Sequence, residues 1–285
     1  MGLGSAGGGG QWFPPEWPER IRALARGELT PVVPRVAATV LLLRDGVDGV
    51  DGADGAAGLE VFLLRRRLSM AFAGGAYAFP GGAMEPGDES VRYTAVRELF
   101  EETGVLLAAP AAEPGRLVGA AVTEAVAAAA PPPFGELLAR RGLVARGDLL
   151  GAWARWITPE FEARRYDTWF FLAALPPGQR ARNASTEADH TGWLSPAEAI
   201  ARYERRELLM MPPTVATLRR LLPHRTVAAA LAAAAAAGGE PEPVLARASL
   251  VGDEVVLSWP GYEEFEKRLP REPEAGGEES GERTT

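Results

Sequence analysis

The chain has 285 residues, room for one large domain or two small ones at about 100–200 residues each. Lys and Arg number 30 against 38 Asp and Glu, a formal charge of −8, so no global positive field draws it to nucleic acid or anionic lipid. It has no cysteine and only two histidines, His190 and His224, which excludes disulfides, thiol nucleophiles, iron–sulfur clusters and any multi-histidine metal site.

The start, MGLGSAGGGGQW, lacks the basic and apolar regions of a signal peptide and reads as a flexible tail. No apolar run is long enough to span a bilayer; Val227–Ala237 is the nearest and is almost all alanine. A cytoplasmic location is expected. Val36–Arg44 and Leu59–Arg65 are apolar and β-rich, and predict two strands joined by a long Gly/Asp loop, Asp45–Gly58. Ala76–Phe79 is a short strand running into the turn Pro80-Gly81-Gly82. Ser90–Thr103 predicts a helix, with Ser90 as N-cap, Val91, Ala95 and Leu99 on one apolar face and Gly104 as the stop. Residues 108–160 are rich in Ala, Pro and Arg and read as a helical insertion, with helices at Phe134–Arg141 and Asp148–Trp156. Arg165–Leu175 is a strand, Ser195 caps a further helix with Pro196 at its first position, and Thr214–Leu222 and Val227–Ala237 are helical. Pro243–Val251 and Glu254–Trp259 flank Gly252-Asp253 as a hairpin, and the Glu-rich end from Arg271 is expected to be disordered. Strands and helices mix without a regular βα repeat, so the fold class is α+β.

The chemistry concentrates in FPGGAMEPGDESVRYTAVRELFEETGV, Phe79–Val105. Glu98, Glu101 and Glu102 stand at i, i+3 and i+4, which places three carboxylates on one helix face within about 5–6 Å of each other. Like charges so close are unfavourable unless a cation sits among them, and a hard divalent ion such as Mg²⁺ or Mn²⁺ suits an all-oxygen set. Arg97 can hold a carboxylate bidentately and fix the preceding loop to the helix; Glu89, eight residues earlier, is the candidate. The Gly81-Gly82 turn allows close backbone approach, so a carbonyl there can complete the coordination.

This segment resembles the box of the Nudix hydrolase family, G-x5-E-x7-R-E-U-x-E-E-x-G-U, in which U is aliphatic. Arg97 to Val105 match its second half throughout, and seven residues separate Glu89 from Arg97. Six residues rather than five separate Gly82 from Glu89, which reads as a loop enlarged by one. The resemblance implies an α/β/α sandwich with a mixed sheet, carrying the helical insertion and the C-terminal hairpin. It divides the chain into a tail (1–30), a Nudix domain (31–222) with the insertion at about 108–160, a helix and hairpin packed on it (223–270) and a second tail (271–285). It implies Mg²⁺- or Mn²⁺-dependent hydrolysis of a diphosphate linkage in a nucleoside diphosphate derivative. Glu98, Glu101, Glu102 and the Gly82 carbonyl would be metal ligands, with Glu101, Glu102 and Glu187 as catalytic groups. The base stays open among Glu187, Asp189 and a helix glutamate, with His190 a weaker alternative.

Two further stretches resemble a branch containing a mammalian peroxisomal coenzyme A hydrolase. Arg66, Met70, Gly75 and Phe79-Pro80-Gly81-Gly82 partly follow the upstream signature of coenzyme A diphosphatases, from which Arg67 and Tyr77 depart. Trp156-Ile157-Thr158-Pro159 and Arg165-Tyr166-Asp167-Thr168-Trp169-Phe170-Phe171 match the branch in pattern. Coenzyme A or acyl-CoA is the implied substrate, with Arg66 and Arg165 binding phosphate and the insertion lining a groove for the pantetheine arm. The alternatives are an ADP-ribose or NADH pyrophosphatase and a non-catalytic ligand sensor; the complete glutamate set favours the enzyme. Trp153, Trp156, Trp169, Phe170 and Phe171 are read as core or as groove lining. The expected partner is a small nucleotide-type molecule, not nucleic acid or membrane; the oligomeric state is open, a homodimer included.

Overall fold

The structure, a computed structural model, describes residues 16–46, 58–69, 73–127, 133–251 and 254–269. The chain opens with α1 (Trp17–Ala25), β1 (Arg35–Asp45), β2 (Leu59–Arg66), β3 (Tyr77–Ala78), β4 (Gly81–Ala83) and α2 (Val91–Thr103). It continues through β5 (Ala108–Pro110), α3 (Ala120–Ala127), α4 (Phe134–Arg140), β6 (Leu143–Ala145), β7 (Gly151–Ile157), β8 (Tyr166–Ala174) and β9 (Ala188–Leu194). It ends with α5 (Pro196–Glu204), α6 (Pro212–Leu221), α7 (Val227–Ala237), β10 (Pro243–Leu245), β11 (Arg247–Val251), β12 (Glu254–Ser258) and β13 (Lys267–Leu269). These elements form two compact units: a larger one within 35–157 and 166–243, and a smaller one comprising the described residues of 1–34, 158–165 and 244–285.

The larger unit is built on β1. Val40, Leu41, Leu42 and Leu43 are all fully buried, so both faces of this strand are covered, which explains its unbroken apolar run. β8 runs parallel to β1 from Arg35↔Tyr166 to Leu43↔Ala174, while β2 and β4 pair with β1 antiparallel. β7 adds to β8, and β3 and β9 add to β2, all antiparallel. The result is the expected mixed sheet.

On one face Ala38, Val40, Leu42, Phe62, Phe171 and Ala173 pack with Ala95, Val96, Leu99 and Phe100 of α2. Phe134, Leu137, Leu138, Leu143 and Leu150 join the same cluster. The large apolar side chains of the insertion are therefore core, which corrects the reading of them as a groove wall for a pantetheine arm. On the other face a Cβ at Gly151 would fall 2.9 Å from that of Ala234 on α7, close to Leu172, and the Trp153 indole donates to the Thr217 carbonyl of α6 (3.3 Å). Helices on both faces complete an α/β/α sandwich.

Three expectations change. Asp148–Trp156 is not a helix: a 3₁₀ turn at Gly147–Leu149 leads into β7. The register of β7 on β8 shifts between Ala152 and Ala154, a bulge that lets Trp153 and Trp156 both bury. Pairing with β8 and burial of two indoles outweigh the helix propensity of the alanines. The insertion is not wholly helical either, since β5 and β6 pair within it. Finally, the expected tail 1–30 contains α1, because Trp17 and Ile21 have a core to enter.

Within the smaller unit the Trp17 ring meets Phe161 edge-on at 5.2 Å and its indole donates to Glu162 (2.7 Å). The expected hairpin is β11–β12, and β13 widens it to three strands. The hairpin belongs to this unit, whereas α7 belongs to the larger one, so 223–270 is not one packed segment. The glycine-rich start, most of the Gly/Asp loop, Met70–Phe72, Pro131-Pro132, Gly252-Asp253 and the Glu-rich end lie outside the described residues. Among the described residues, no helix is long and apolar enough to cross a membrane.

After β8, Gln179 is 5 % exposed and makes three hydrogen bonds with the chain between α2 and α3. Its carbonyl accepts from Leu106 N–H (2.9 Å) and its amide donates to the carbonyls of Leu106 and Val118 (both 3.0 Å). Gln179→Ala would leave these buried groups unpaired and is expected to cost about 2–4 kcal/mol in urea unfolding.

Candidate active site

The site is organised around Arg97, which is 4 % exposed in the second turn of α2. The Ser90 hydroxyl starts the helix by accepting from Tyr93 N–H (3.2 Å), and Gly104 ends it at φ 73°, its N–H donating to Phe100 (2.8 Å). Arg97 Nε and Nη2 donate to Asp88 at 3.0 and 2.9 Å, and Nη2 also donates to the Ala83 carbonyl (3.0 Å). Nη1 donates to Glu98 (2.8 Å) and Glu101 (3.0 Å). One guanidinium thus ties the loop before the helix to two of the three glutamates.

Asp88, not Glu89, is the partner of Arg97; Glu89 is exposed. This corrects the structural role given to Glu89. The signal was in the sequence: five residues, Ala83 to Gly87, separate Gly82 from Asp88. The spacing G-x5 is kept with aspartate as the acid, and the extra residue falls after it. Burial opposes ionisation of Asp88, but Arg97, the Glu85 N–H and the Thr94 hydroxyl hold its carboxyl below the usual range.

The glutamates behave oppositely. Burial pushes the Glu98 carboxyl up to about 7 against the pull of Arg97, and Glu102 up to about 8 against a hydrogen bond from Gly81 N–H (2.9 Å). Burial also raises Glu101. Three carboxylates on one helix face, Glu98 and Glu102 half-buried and Glu101 exposed, form an electrostatic sink for a cation.

The two glycines permit this crowding. A Cβ on Gly81 would fall 2.4 Å from the Ala38 carbonyl, and one on Gly82 would fall 2.5 Å from Glu98 Oε1. Val40 N–H donates to Pro80, and Met84 N–H to Val36, so ladder alternation makes Ala38–Gly82 a hydrogen-bonded pair. The Gly82 carbonyl therefore faces β1 rather than the glutamates. Gly82 contributes space for Glu98, which corrects its expected part as a ligand.

Among the described residues, no group of three or more acidic or histidine side chains is closed round a point that a metal could occupy. Arg97 and Gly81 N–H each engage one oxygen of a glutamate carboxylate. The other oxygen of Glu98, Glu101 and Glu102 has no hydrogen-bond partner among the described residues. That donor set, hard and anionic, fits a divalent cation of the Mg²⁺ or Mn²⁺ type.

Arg66 ends β2 on the same face as Phe62, toward α2, and its Nε is buried without a partner. Its charge acts on Glu102, as does that of Glu187, which is exposed in the turn before β9. Arg67 N–H donates to the Glu187 carbonyl (2.9 Å) and Ala184 N–H to the Glu102 carbonyl (3.0 Å), so the segments that carry Arg66, Glu102 and Glu187 adjoin. Asp189 and His190 lie on β9, where Asp189 accepts from Arg65 Nε (2.6 Å) and the His190 ring meets Tyr77 edge-on (6.4 Å). Arg165 is accounted for inside the smaller unit: it is 7 % exposed and donates to the carbonyls of Thr158 (3.1 Å) and Val32 (2.8 Å). It is a structural tie, not the phosphate ligand expected. Trp153, Trp156, Phe170 and Phe171 are buried core; Trp169 is half-buried, stacked on Phe171 (6.1 Å) with Arg155 over its ring.

Because Asp88 is the buried counter-charge of Arg97, Asp88→Ala is expected to cost about 3–5 kcal/mol in denaturant unfolding. Glu89→Ala should stay within about 0.5 kcal/mol of wild type. Equal effects from both would undo the assignment of Asp88.

A family model described as the NUDT19 Nudix domain matches residues 85–221, and one described as the NUDIX domain matches residues 34–128. Acyl-coenzyme A diphosphatase NUDT19 of Gallus gallus is 36 % identical over 151 residues, 45 % of this chain and 39 % of that protein. The protein of the same name from Homo sapiens is 32 % identical over 141 residues, 43 % of this chain and 36 % of its own. These matches span less than half the length of those relatives. The crystal structure of a NUDIX hydrolase from Alicyclobacillus acidocaldarius superposes with a TM-score of 0.60 at 28 % identity, covering 70 % of this chain and 96 % of that one. With the carboxylate helix, its buried arginine and the sandwich that carries them, these matches place residues 34–221 in the Nudix hydrolase family.

Proposed function

We propose that the chain hydrolyses the diphosphate linkage of a nucleoside diphosphate derivative, with coenzyme A or an acyl-CoA as substrate. The observation that carries the reading is the set of three glutamates on one face of α2, of which Glu98 and Glu102 are half-buried and raised to about 7 and 8 and Glu101 is exposed, together with the buried, unpartnered Nε of Arg66. The names of the two vertebrate relatives and the partial upstream signature at Arg66 and FPGG support the choice of substrate.

Glu98, Glu101 and Glu102 would hold Mg²⁺ or Mn²⁺. Such an ion, when bound, neutralises charge on the leaving phosphate and acidifies a water. Arg97 bonds one oxygen each of Glu98 and Glu101, so both carboxylates keep one oxygen without a protein partner among the described residues. Arg66 meets the diphosphate, where a planar guanidinium with a free donor matches phosphate oxygens. Glu187 accepts a proton from the attacking water. The new P–O bond forms as the anhydride P–O bond breaks, and from coenzyme A the products are 3′,5′-ADP and a phosphopantetheine species.

Glu101→Gln and Glu102→Gln are expected to lower kcat by about 10²-fold or more. EDTA should abolish turnover, and Mn²⁺ should raise the Tm of wild type but much less that of Glu102→Gln. Undiminished turnover in excess chelator would overturn the metal reading. A panel of coenzyme A, acyl-CoA, ADP-ribose and NADH tests the substrate. If ADP-ribose or NADH is cleaved at least tenfold better in kcat/KM, about 1.4 kcal/mol in transition-state binding, the coenzyme A assignment fails while the chemistry stands.

A further inference from the structure

The turn that carries Glu187 is fastened more tightly than its exposure suggests. Before it, Arg182 N–H donates to the Thr103 carbonyl and Ala184 N–H to the Glu102 carbonyl (both 3.0 Å), so the segment is stitched to the last turn of α2. After it, Arg67 N–H donates to the Glu187 carbonyl (2.9 Å), which ties the turn to the end of β2. Two side chains then close the turn on itself. Asn183 Nδ2 donates across it to the Ala188 carbonyl (3.1 Å), and Ser185 Oγ accepts from Glu187 N–H (3.0 Å). Asn183 and Ser185 are polar residues whose short side chains suit such local bonds. The register of β9 on β2 shifts opposite Arg65/Arg66, immediately after the turn, so regular strand pairing does not itself set where Glu187 stands.

We propose that Asn183, assisted by Ser185, is a positioning residue that fixes the turn from which Glu187 acts, next to the end of α2 that carries Glu102. This deepens the proposed hydrolase reading and rests on it for its kinetic consequence. Backbone fastening fixes the two ends of the turn, whereas the Asn183 bond fixes its width. Without that bond the turn can open and carry Glu187 away from the end of α2. Neither Asn183 nor Ser185 need touch the substrate.

The test compares Asn183→Ala, Ser185→Ala, Glu187→Gln and the double variant Asn183→Ala/Glu187→Gln in the full chain with Mn²⁺, using the best diphosphate substrate of the panel. Asn183→Ala is expected to lower kcat about three- to tenfold with KM within about twofold, and Ser185→Ala to have a smaller effect of the same kind. The double variant should be no slower than Glu187→Gln alone, because the latch acts only through that carboxylate. Hydrogen exchange should quicken across residues 184–188 in Asn183→Ala and stay at the wild-type rate in α2. Unchanged exchange in the turn, or losses that multiply in the double variant, would overturn the proposal. If the wild-type chain cleaves nothing in the panel, the hydrolase reading fails, and the exchange comparison still decides whether Asn183 holds the turn.

Discussion

The buried guanidinium of Arg97 is the constraint on which the rest of the site depends. Burial alone disfavours its charge, and Asp88, Glu98 and Glu101 reverse that and keep it protonated. The arrangement is asymmetric in a useful way. Asp88 is fully neutralised, with both oxygens on Arg97, whereas Glu98 and Glu101 each receive one bond and retain an oxygen. Glu102 receives nothing from Arg97 and is the most strongly raised of the three. Burial, rather than Arg97, sets the height of Glu98 and Glu102, and the oxygens left without protein partners are those that a divalent cation could use.

Such a helix works only if the backbone can come close to it. β4 brings Gly81 and Gly82 between β1 and α2, and at both positions any side chain would collide, with main chain on one side and with Glu98 on the other. The same short strand sends its donors and acceptors in two directions. Gly82 turns toward β1 and closes the sheet, while Gly81 N–H and the Ala83 carbonyl turn away to Glu102 and Arg97. Three residues thus join the sheet to both ends of the charge network. Desolvation follows from this close packing, and with it the raised carboxyls.

The helix, its caps and its three glutamates were legible because each is a local pattern: Ser90, the apolar spacing and Gly104 all lie within one segment. Asp88 was also local, but counting back from Arg97 reaches Glu89, and only counting forward from Gly82 reaches the right acid. β7 was misread because its sequence, GAWARWI, has alanines that favour a helix, while the reason it extends is a long-range partner, β8, and a bulge that buries both indoles. Arg165 was misread for the same kind of reason. Its carbonyl partners, Thr158 and Val32, are set by tertiary packing, and Val32 is 133 residues away. Spacing reports what one element does to itself and is silent on what it meets.

Topology, rather than any motif, delivers Glu187. β8 lies beside one edge of β1 and β9 beside the far edge of β2, so the connection between them must cross the sheet end at which α2 also terminates. That crossing is fastened in sequence: Gln179 to Leu106 and Val118, Arg182 to Thr103, Ala184 to Glu102. Each point lies nearer the glutamates than the last, and the chain then turns at Glu187 into β9. A strand order that places β9 next to β2 therefore carries the segment that holds Glu187 past the end of α2, where Arg182 and Ala184 bond to Thr103 and Glu102. The intervening side chains then have one remaining freedom to remove, the width of the final turn, and that is the bond Asn183 makes.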